Sequence, residues 1–499
     1  MRSVHPPQCL SQIISDSTPT RVVFLAVFCS FLTGCPKPAD QTEAKRLPLE
    51  GVTLRLLVVD DPALAAALGK VRGEWRTQTG ATLEVTESCE DEFLAADKPK
   101  ADAAICGSSL LGPLAEGEKI VEIPAGLRAD DQKDWTDLFE LARGHEVVWG
   151  SKTLAVPFGS PVLVCYYRAD LLAALGQSPP ETWEEYQGLA GLLSELLEDR
   201  ERLTKQAVSD EAARSGTMEP LGPGWGGLML LARAASGVQH PDNFSTWFDI
   251  RTMEPLIAGP PVVRALVQLV ETAKYGPADQ LTADPAKVRA AFWRGKCGLA
   301  VSWPTAAAEE IPKEASSLSV GVTALPGSRE HFNVDHGRWE TRKADADPRV
   351  PLLDISGRIG VVLVGERSSA AGELLVWLSA LQGNPPPAAR SPWTTLFRRS
   401  QAGSPADWVE KPMSTATATD YAKLTRATFE SQQWTASLRI PGRREYLKAL
   451  DEAVAAAVRG EKAPAAALQD AAQRWREITE RLGVERQQAA YLRSLGLEP

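Results

Sequence analysis

The chain is poor in histidine, has no apolar run that spans a bilayer comfortably, and lacks the common catalytic signatures. Five histidines among 499 residues leave little material for a metal site built on imidazole. The apolar run Val22 to Leu32 is too short for a membrane helix. No G-x-S-x-G elbow, H-E-x-x-H pair or phosphate loop occurs, which removes the serine hydrolase, zinc peptidase and nucleotide hydrolase classes that those patterns mark. Adjacent acids such as Asp60 and Asp61 exist, but adjacency does not place two carboxyls across a scissile bond. The seven cysteines include no C-x-x-C pair, so a metal or redox site on sulfur is not expected. A formal charge of −10 argues against nucleic acid as a partner. What is present is ordinary for a folded soluble protein, 44% hydrophobic and 24% charged, and the length predicts more than one domain.

The N-terminus reads as a leader. Arg21 precedes the apolar run, which ends in Leu32-Thr33-Gly34-Cys35 and resembles a bacterial lipobox. Residues 1–34 are then a lipoprotein signal peptide, Cys35 carries the lipid, and residues 35–49 are a tether. Such an anchor holds a protein on a membrane face without a spanning helix. Cys9 and Cys29 leave with the leader. Cys89, Cys106, Cys165 and Cys297 remain, with burial as small hydrophobes expected and pairing permitted in an oxidising compartment.

Folding begins at Val52. Leu54 to Val59 predicts a strand covered on both faces. Asp61 caps a helix with Pro62 in its first turn, the stripe Leu64, Leu68, Val71, Trp75 continues that helix, and Gly80 ends it. Ala81 to Thr86 and Ala101 to Ile105 follow as strands, the latter running into Gly107-Ser108-Ser109. Strand, helix, strand makes a parallel unit whose ligands gather at the loops after the strands.

Gly150 to Tyr186 predicts a strand between two bends and then a new helix, with Thr182 and Glu185 forming a capping box. No element is predicted for Glu201 to Pro223. Gly222 to Gly227 fits G-x-G-x-x-G, but with no predicted strand before it and Pro223 in the turn it reads as a loop entering a helix from Leu228. Helices are expected over Val262 to Lys274, Val288 to Gly295 and Ser369 to Leu381, and strands over Gly298 to Ser302, Ser319 to Pro326 and Arg358 to Val364. The charged stretch Ser328 to Ser356 reads as a solvated surface loop. The stripe Leu468, Ala471, Trp475, Ile478, Leu482 behind Pro464 predicts a C-terminal helix.

This order of elements resembles the sugar-type, maltose-binding-protein-like solute-binding proteins of ABC importers. The resemblance rests on Gly150, Pro157, Tyr167, Asp170, Leu171, Gly176, Pro179, Pro180, Thr182, Trp183 and Glu185, and on Phe292, Gly295 and Lys296 before a strand. Arg168 departs from it, standing where the family usually has Asn. The resemblance implies an α/β, two-lobed periplasmic-binding-protein-like fold (type II) with a hinged cleft and a helical C-terminus. Its lobes are expected at 50–158 with 330–400 and at 159–326 with 401–482, with 483–499 as an extension and Ala155 to Pro161 as the bending point. It further implies a monomeric, lipid-anchored receptor in the cell envelope, facing the periplasm, with no cofactor and no enzymatic activity. That receptor is expected to capture a small solute, a carbohydrate, and pass it to an ABC permease. Trp303 is the leading site residue, because an indole suits the apolar face of a pyranose. Trp225, Asp60, Asp61, Ser108, Ser109, Phe158 and Tyr167 complete the expected set. An envelope-anchored sensor or scaffold on the same fold, or a carbohydrate-active enzyme, is the alternative, since fold does not fix function.

Overall fold

The computed structural model describes residues 47–499 apart from 130–132, 204–214, 244, 308–310, 312–314, 316, 382 and 384. The leader, Cys35 and most of the tether therefore lie outside the described residues.

Two sheets organise the chain. In the first, the strands run in the order Thr82–Ser88, Thr53–Val59, Ala103–Gly107, Arg358–Leu363 and Ile120–Val121, and Ala155–Pro157 also pairs with Arg358–Leu363. The opening three strands are parallel, whereas the late strand returns antiparallel to Ala103–Gly107. Leu54, Leu56, Val58 and Val59 are buried, but Arg55 is exposed, so this strand is covered on both faces only in its second half. The helix expected from Asp61 to Gly80 is two helices, Pro62–Lys70 and Arg72–Thr79. Gly69 and Gly73 flank the break at Val71, and glycine weakens a helix on either side of such a turn. Gly80 closes the second helix at φ +81°, as expected.

The second sheet runs Val320–Ala324, Val164–Arg168, Cys297–Ser302, Ser215–Met218. Its last strand falls in the stretch for which the sequence predicted nothing. Helices Trp183–Leu203, Pro260–Ala273, Pro285–Trp293 and Thr415–Phe429 pack around it. Helix Gly226–Val238 is buried along its whole length, against Pro260–Ala273 on one side and Arg443–Val458 on another. The capping box forms as predicted: Thr182 Oγ1 accepts from the Glu185 N–H at 3.3 Å, and Glu185 Oε2 accepts from the Thr182 N–H at 3.3 Å. Arg168 holds Asp170 through two hydrogen bonds of 2.9 and 2.6 Å at the start of helix Ala169–Leu175, a local clamp.

The chain passes between the sheets at 158–163, at 325–357 and at 381–414. These passages pack side by side. Phe158 donates to the Arg358 carbonyl and Arg358 to the Gly159 carbonyl, each at 2.9 Å. Gly159 sits at φ +102°, and a Cβ there would lie 2.4 Å from the Thr395 carbonyl oxygen; at Gly357, φ +153°, it would lie 2.0 Å from Ser160 Oγ. Gly357→Ala is accordingly expected to cost at least ~1 kcal/mol of stability in urea unfolding, from backbone strain and the displaced Ser160 together. A cost within error of zero would mean that the passages have slack.

The charged insertion is not a loop. Glu330–Asn333 and Arg338–Thr341 form a hairpin that packs on helices Gly226–Val238 and Pro260–Ala273, with the Arg264 guanidinium 3.1 Å from the Trp339 ring centre. The hairpin thus sits with the helices of the second sheet, whereas the expected boundary put 330–400 with the first. At the C-terminus, the extension forms helix Val484–Ser494. It touches both halves: Arg493 pairs with Glu116 at 2.7 Å, and the Tyr491 and Ser245 hydroxyls lie 2.8 Å apart. Among the described residues no helix is long and apolar enough to cross a membrane. Their four cysteines are free thiols, Cys89 exposed and the others buried; burial raises Cys106 and Cys297 to about 12.

Candidate functional site

A cavity of about 1020 Å³ opens between the two sheets. One wall is the loop after the first strand and the helix it enters, with Asp60, Asp61 and Lys70. The opposite wall is helix Pro285–Trp293, with Arg289 and Trp293, and the end of strand Cys297–Ser302 at Trp303. The 381–414 passage closes it with Arg390 and Trp393.

Three tryptophans cluster at the edge of this cavity; Trp303 and Trp393 line it, whereas Trp225, expected at the site, does not. Trp225 stacks on Trp393 with ring planes 3° apart and centroids 6.2 Å apart, and Trp303 meets them at 5.5 and 5.9 Å. Trp303 Nε1 donates to the Pro392 carbonyl at 2.9 Å. Although Trp303 lines the cavity, it is 1% exposed, so its role is to fix the cluster. The half-buried Trp393 offers more ring face. Trp393 is not among the residues that the sequence pointed to. Trp225 stands at the N-cap of helix Gly226–Val238 and stacks on Trp393 without lining the cavity.

Asp61 is fully committed. Its Oδ1 accepts from the Leu64 N–H at 3.0 Å, capping the first helix, while its Oδ2 receives Arg358 Nε at 2.9 Å and Ser391 Oγ at 2.5 Å. One carboxylate thereby ties the first strand, the late strand and the third passage together behind the cavity wall. Asp60, exposed and at φ +49°, accepts from the Glu90 N–H at 3.1 Å through Oδ2 and from Arg358 Nη2 at 2.9 Å through its carbonyl. It also borders a second cavity of about 730 Å³ with Cys89, Ser109, Arg443 and Arg444. Arg289 is held by Ser302 Oγ at 3.3 Å, the Trp303 carbonyl at 3.2 Å and Glu410 at 3.4 Å. Burial outweighs that arginine and pushes Glu410 up to about 7.

The remaining expected residues fall elsewhere. Ser108 is wholly buried and its N–H donates to the Gly357 carbonyl at 3.1 Å; Ser109 faces the second cavity. Phe158 and Tyr167 were expected to touch the cleft and line neither cavity. Phe158 is wholly buried, its ring beside Gly360, and Tyr167 lies over Gly321. In short strands the pleat alone decides which neighbour faces the ligand. The glycine-rich Gly222–Gly227 segment does follow a strand, contrary to expectation, yet it has no room for a phosphate. The N–H groups of Gly224 and Gly227 each donate to the Asp451 carboxylate at 2.7 Å, so the anion position is already taken.

A buried charged cluster lies beside the passages. His145 Nε2 is 2.8 Å from Asp354 Oδ2, Arg439 Nε is 3.3 Å from the same oxygen, and Arg439 also donates to the carbonyls of His145 and Glu146. Burial, and then the charge of Asp354, raise Glu146 to about 8. The folded protein therefore holds that proton up to about pH 8, while the unfolded chain releases it near the ordinary value of 4.5. The stability Glu146 contributes is complete below about pH 4.5 and lost as pH rises toward 8. Paired melts of wild type and Glu146→Gln should show the variant gaining relative stability from pH 5 to pH 8. Parallel curves would contradict the burial of a neutral carboxyl.

A cavity between two α/β lobes joined by several passages is the architecture of the two-lobed periplasmic-binding-protein fold. Residues 93–331 match the family model described as bacterial extracellular solute-binding protein, the group that the sequence resembles. Solved structures share the fold across most of the chain. A solute-binding protein from Agrobacterium radiobacter in complex with ribitol superposes with a TM-score of 0.62 at 19% identity, covering 86% of this chain and 99% of its own. MalE3 of T. maritima with maltose bound gives 0.61 at 17%, covering 85% and 99%. A solute-binding protein from Agrobacterium vitis with bound D-mannitol gives 0.60 at 18%, covering 86% and 99%. A comparison with curated proteins finds no match.

Proposed function

We propose that the chain is the solute receptor of an ABC importer and holds a polyol or small sugar in the cavity between its sheets. The observation that carries this reading is the chemistry of the walls, where the face of Trp393 stands among the polar groups of Asp60, Lys70 and Arg390. Such a wall suits a ligand with apolar C–H faces and a rim of hydroxyls. The ribitol, maltose and D-mannitol in the similar structures support the same class. Closure on ligand follows if the bound solute contacts both walls, since only differential affinity shifts an open–closed equilibrium. The description of the matching model as extracellular supports a place outside the cytoplasm; lipid anchoring at Cys35 and delivery to a permease complete the proposal.

Thermal melting with a panel of pentitols, hexitols and disaccharides tests it. A cognate solute at a hundred times its Kd is expected to stabilise the protein by ~2.7 kcal/mol. A panel in which no polyol or sugar moves the melting temperature would overturn the assignment. Mass spectrometry of membrane-extracted protein checks the anchor, an unmodified Cys35 with residues 1–34 still attached being the contrary result.

A further inference from the structure

The hairpin insertion carries His331 and Glu340 to His240, just past the end of helix Gly226–Val238 and distant from them along the chain. His331 and Glu340 are directly opposed across the hairpin, and His240 stands two residues beyond the helix end. Each offers one donor atom, and the three atoms lie within 4.8 Å of one another. His240 Nε2 is 3.2 Å from Glu340 Oε2, and the two imidazole centroids are 4.3 Å apart. We propose that His240, His331 and Glu340 form a binding site for a divalent transition-metal ion of the zinc type, which pins the hairpin to the helix.

The surroundings orient His331 and Glu340 as a metal site requires. His331 Nδ1 faces the Gln239 carbonyl at 3.3 Å; a proton on that nitrogen leaves the Nε2 lone pair for a ligand, the carbonyl setting the tautomer. Glu340 Oε1 receives Arg338 Nε at 3.0 Å and Asn333 Nδ2 at 3.3 Å, which fixes the carboxylate and leaves Oε2 to bind. His240 Nδ1 accepts the Asp242 N–H at 3.1 Å, so its proton now lies on Nε2, toward Glu340. Metal binding moves that proton to Nδ1, where Asp242 Oδ2 is 3.8 Å away, and breaks the bond from the Asp242 N–H. Two imidazoles and one carboxylate suit zinc, cobalt or nickel rather than calcium or magnesium. Bonds of ~2.0–2.2 Å place tetrahedral donors ~3.4 Å apart, so small side-chain rotations close the site, with water in the fourth position. Arg338 and Arg342 nearby weaken the attraction for a cation.

The test uses the full chain after treatment with a chelator. Titration with Co²⁺, read as visible absorption in the difference between wild type and His331→Ala, should show one site per chain, and Zn²⁺ should displace the signal. His331→Ala and Glu340→Gln should each weaken binding at least ~10-fold, while His336→Ala, at the turn of the same hairpin, leaves it unchanged. Zn²⁺ should raise the melting temperature of wild type and not of the two site variants, with circular dichroism confirming that both fold. No difference signal, or a signal retained in both His331→Ala and Glu340→Gln, would overturn the site. These readouts need no solute in the cleft and so stand apart from the importer assignment.

Discussion

Asp61→Ala is expected to cost ~3–5 kcal/mol of stability, because it leaves the Arg358 guanidinium buried without its partner. Arg358 is 6% exposed and Asp61 2%, so water does not replace the lost carboxylate. The same substitution uncaps helix Pro62–Lys70, a further ~1 kcal/mol, and strands the Ser391 hydroxyl. Urea unfolding gives the number directly. Asp61→Asn separates the parts: it keeps a capping oxygen and loses the charge, so its cost should fall between wild type and alanine. Solute affinity should stay within a few-fold of wild type in Asp61→Asn, because the carboxylate is already spent on Leu64, Arg358 and Ser391. An alanine variant within 1 kcal/mol of wild type would show that the ion pair is not the tie between first strand, late strand and third passage described above.

Trp393→Ala is expected to reduce solute affinity by ~30-fold or more, the scale at which an aromatic anchor counts as a hot spot. Its effect on stability should be modest, since the ring is only half-buried. Trp303→Ala should lose both, the fully buried indole costing ~3–5 kcal/mol as a core cavity, while Trp303→Phe recovers part of the stability. Calorimetric titration beside urea unfolding distinguishes the two tryptophans. If Trp393→Ala bound the solute as wild type does, the aromatic face would have to be sought elsewhere in the cavity.

Local signals in the sequence carried far. Asp61-Pro62 as a helix start, Thr182 and Glu185 as a capping box, and the strand ending at Ser302 before Trp303 all depend on neighbours within four residues, which is the range of a cap or a pleat. What stayed hidden depends on distance. Asp61 looked like a ligand residue because its true partners, Arg358 and Ser391, lie 297 and 330 residues away. Trp393 sits in a passage with no helical or alternating period, so nothing local marks it. Strand Ser215–Met218 adjoins 204–214, outside the described residues, and is four residues long, too short to carry a pattern. The charged composition of 330–341 hid a hairpin whose Phe332 and Trp339 rings meet at 5.4 Å, and with it the approach of His331 to His240.

Binding of a polyol or sugar between the two sheets is tested most directly by hydrogen exchange with and without the stabilising solute. Protection is expected in residues 60–71, 285–294 and 387–393, from both walls of the 1020 Å³ cavity and the passage that closes it. Protection confined to one wall, or appearing instead around residues 441–474, would contradict it.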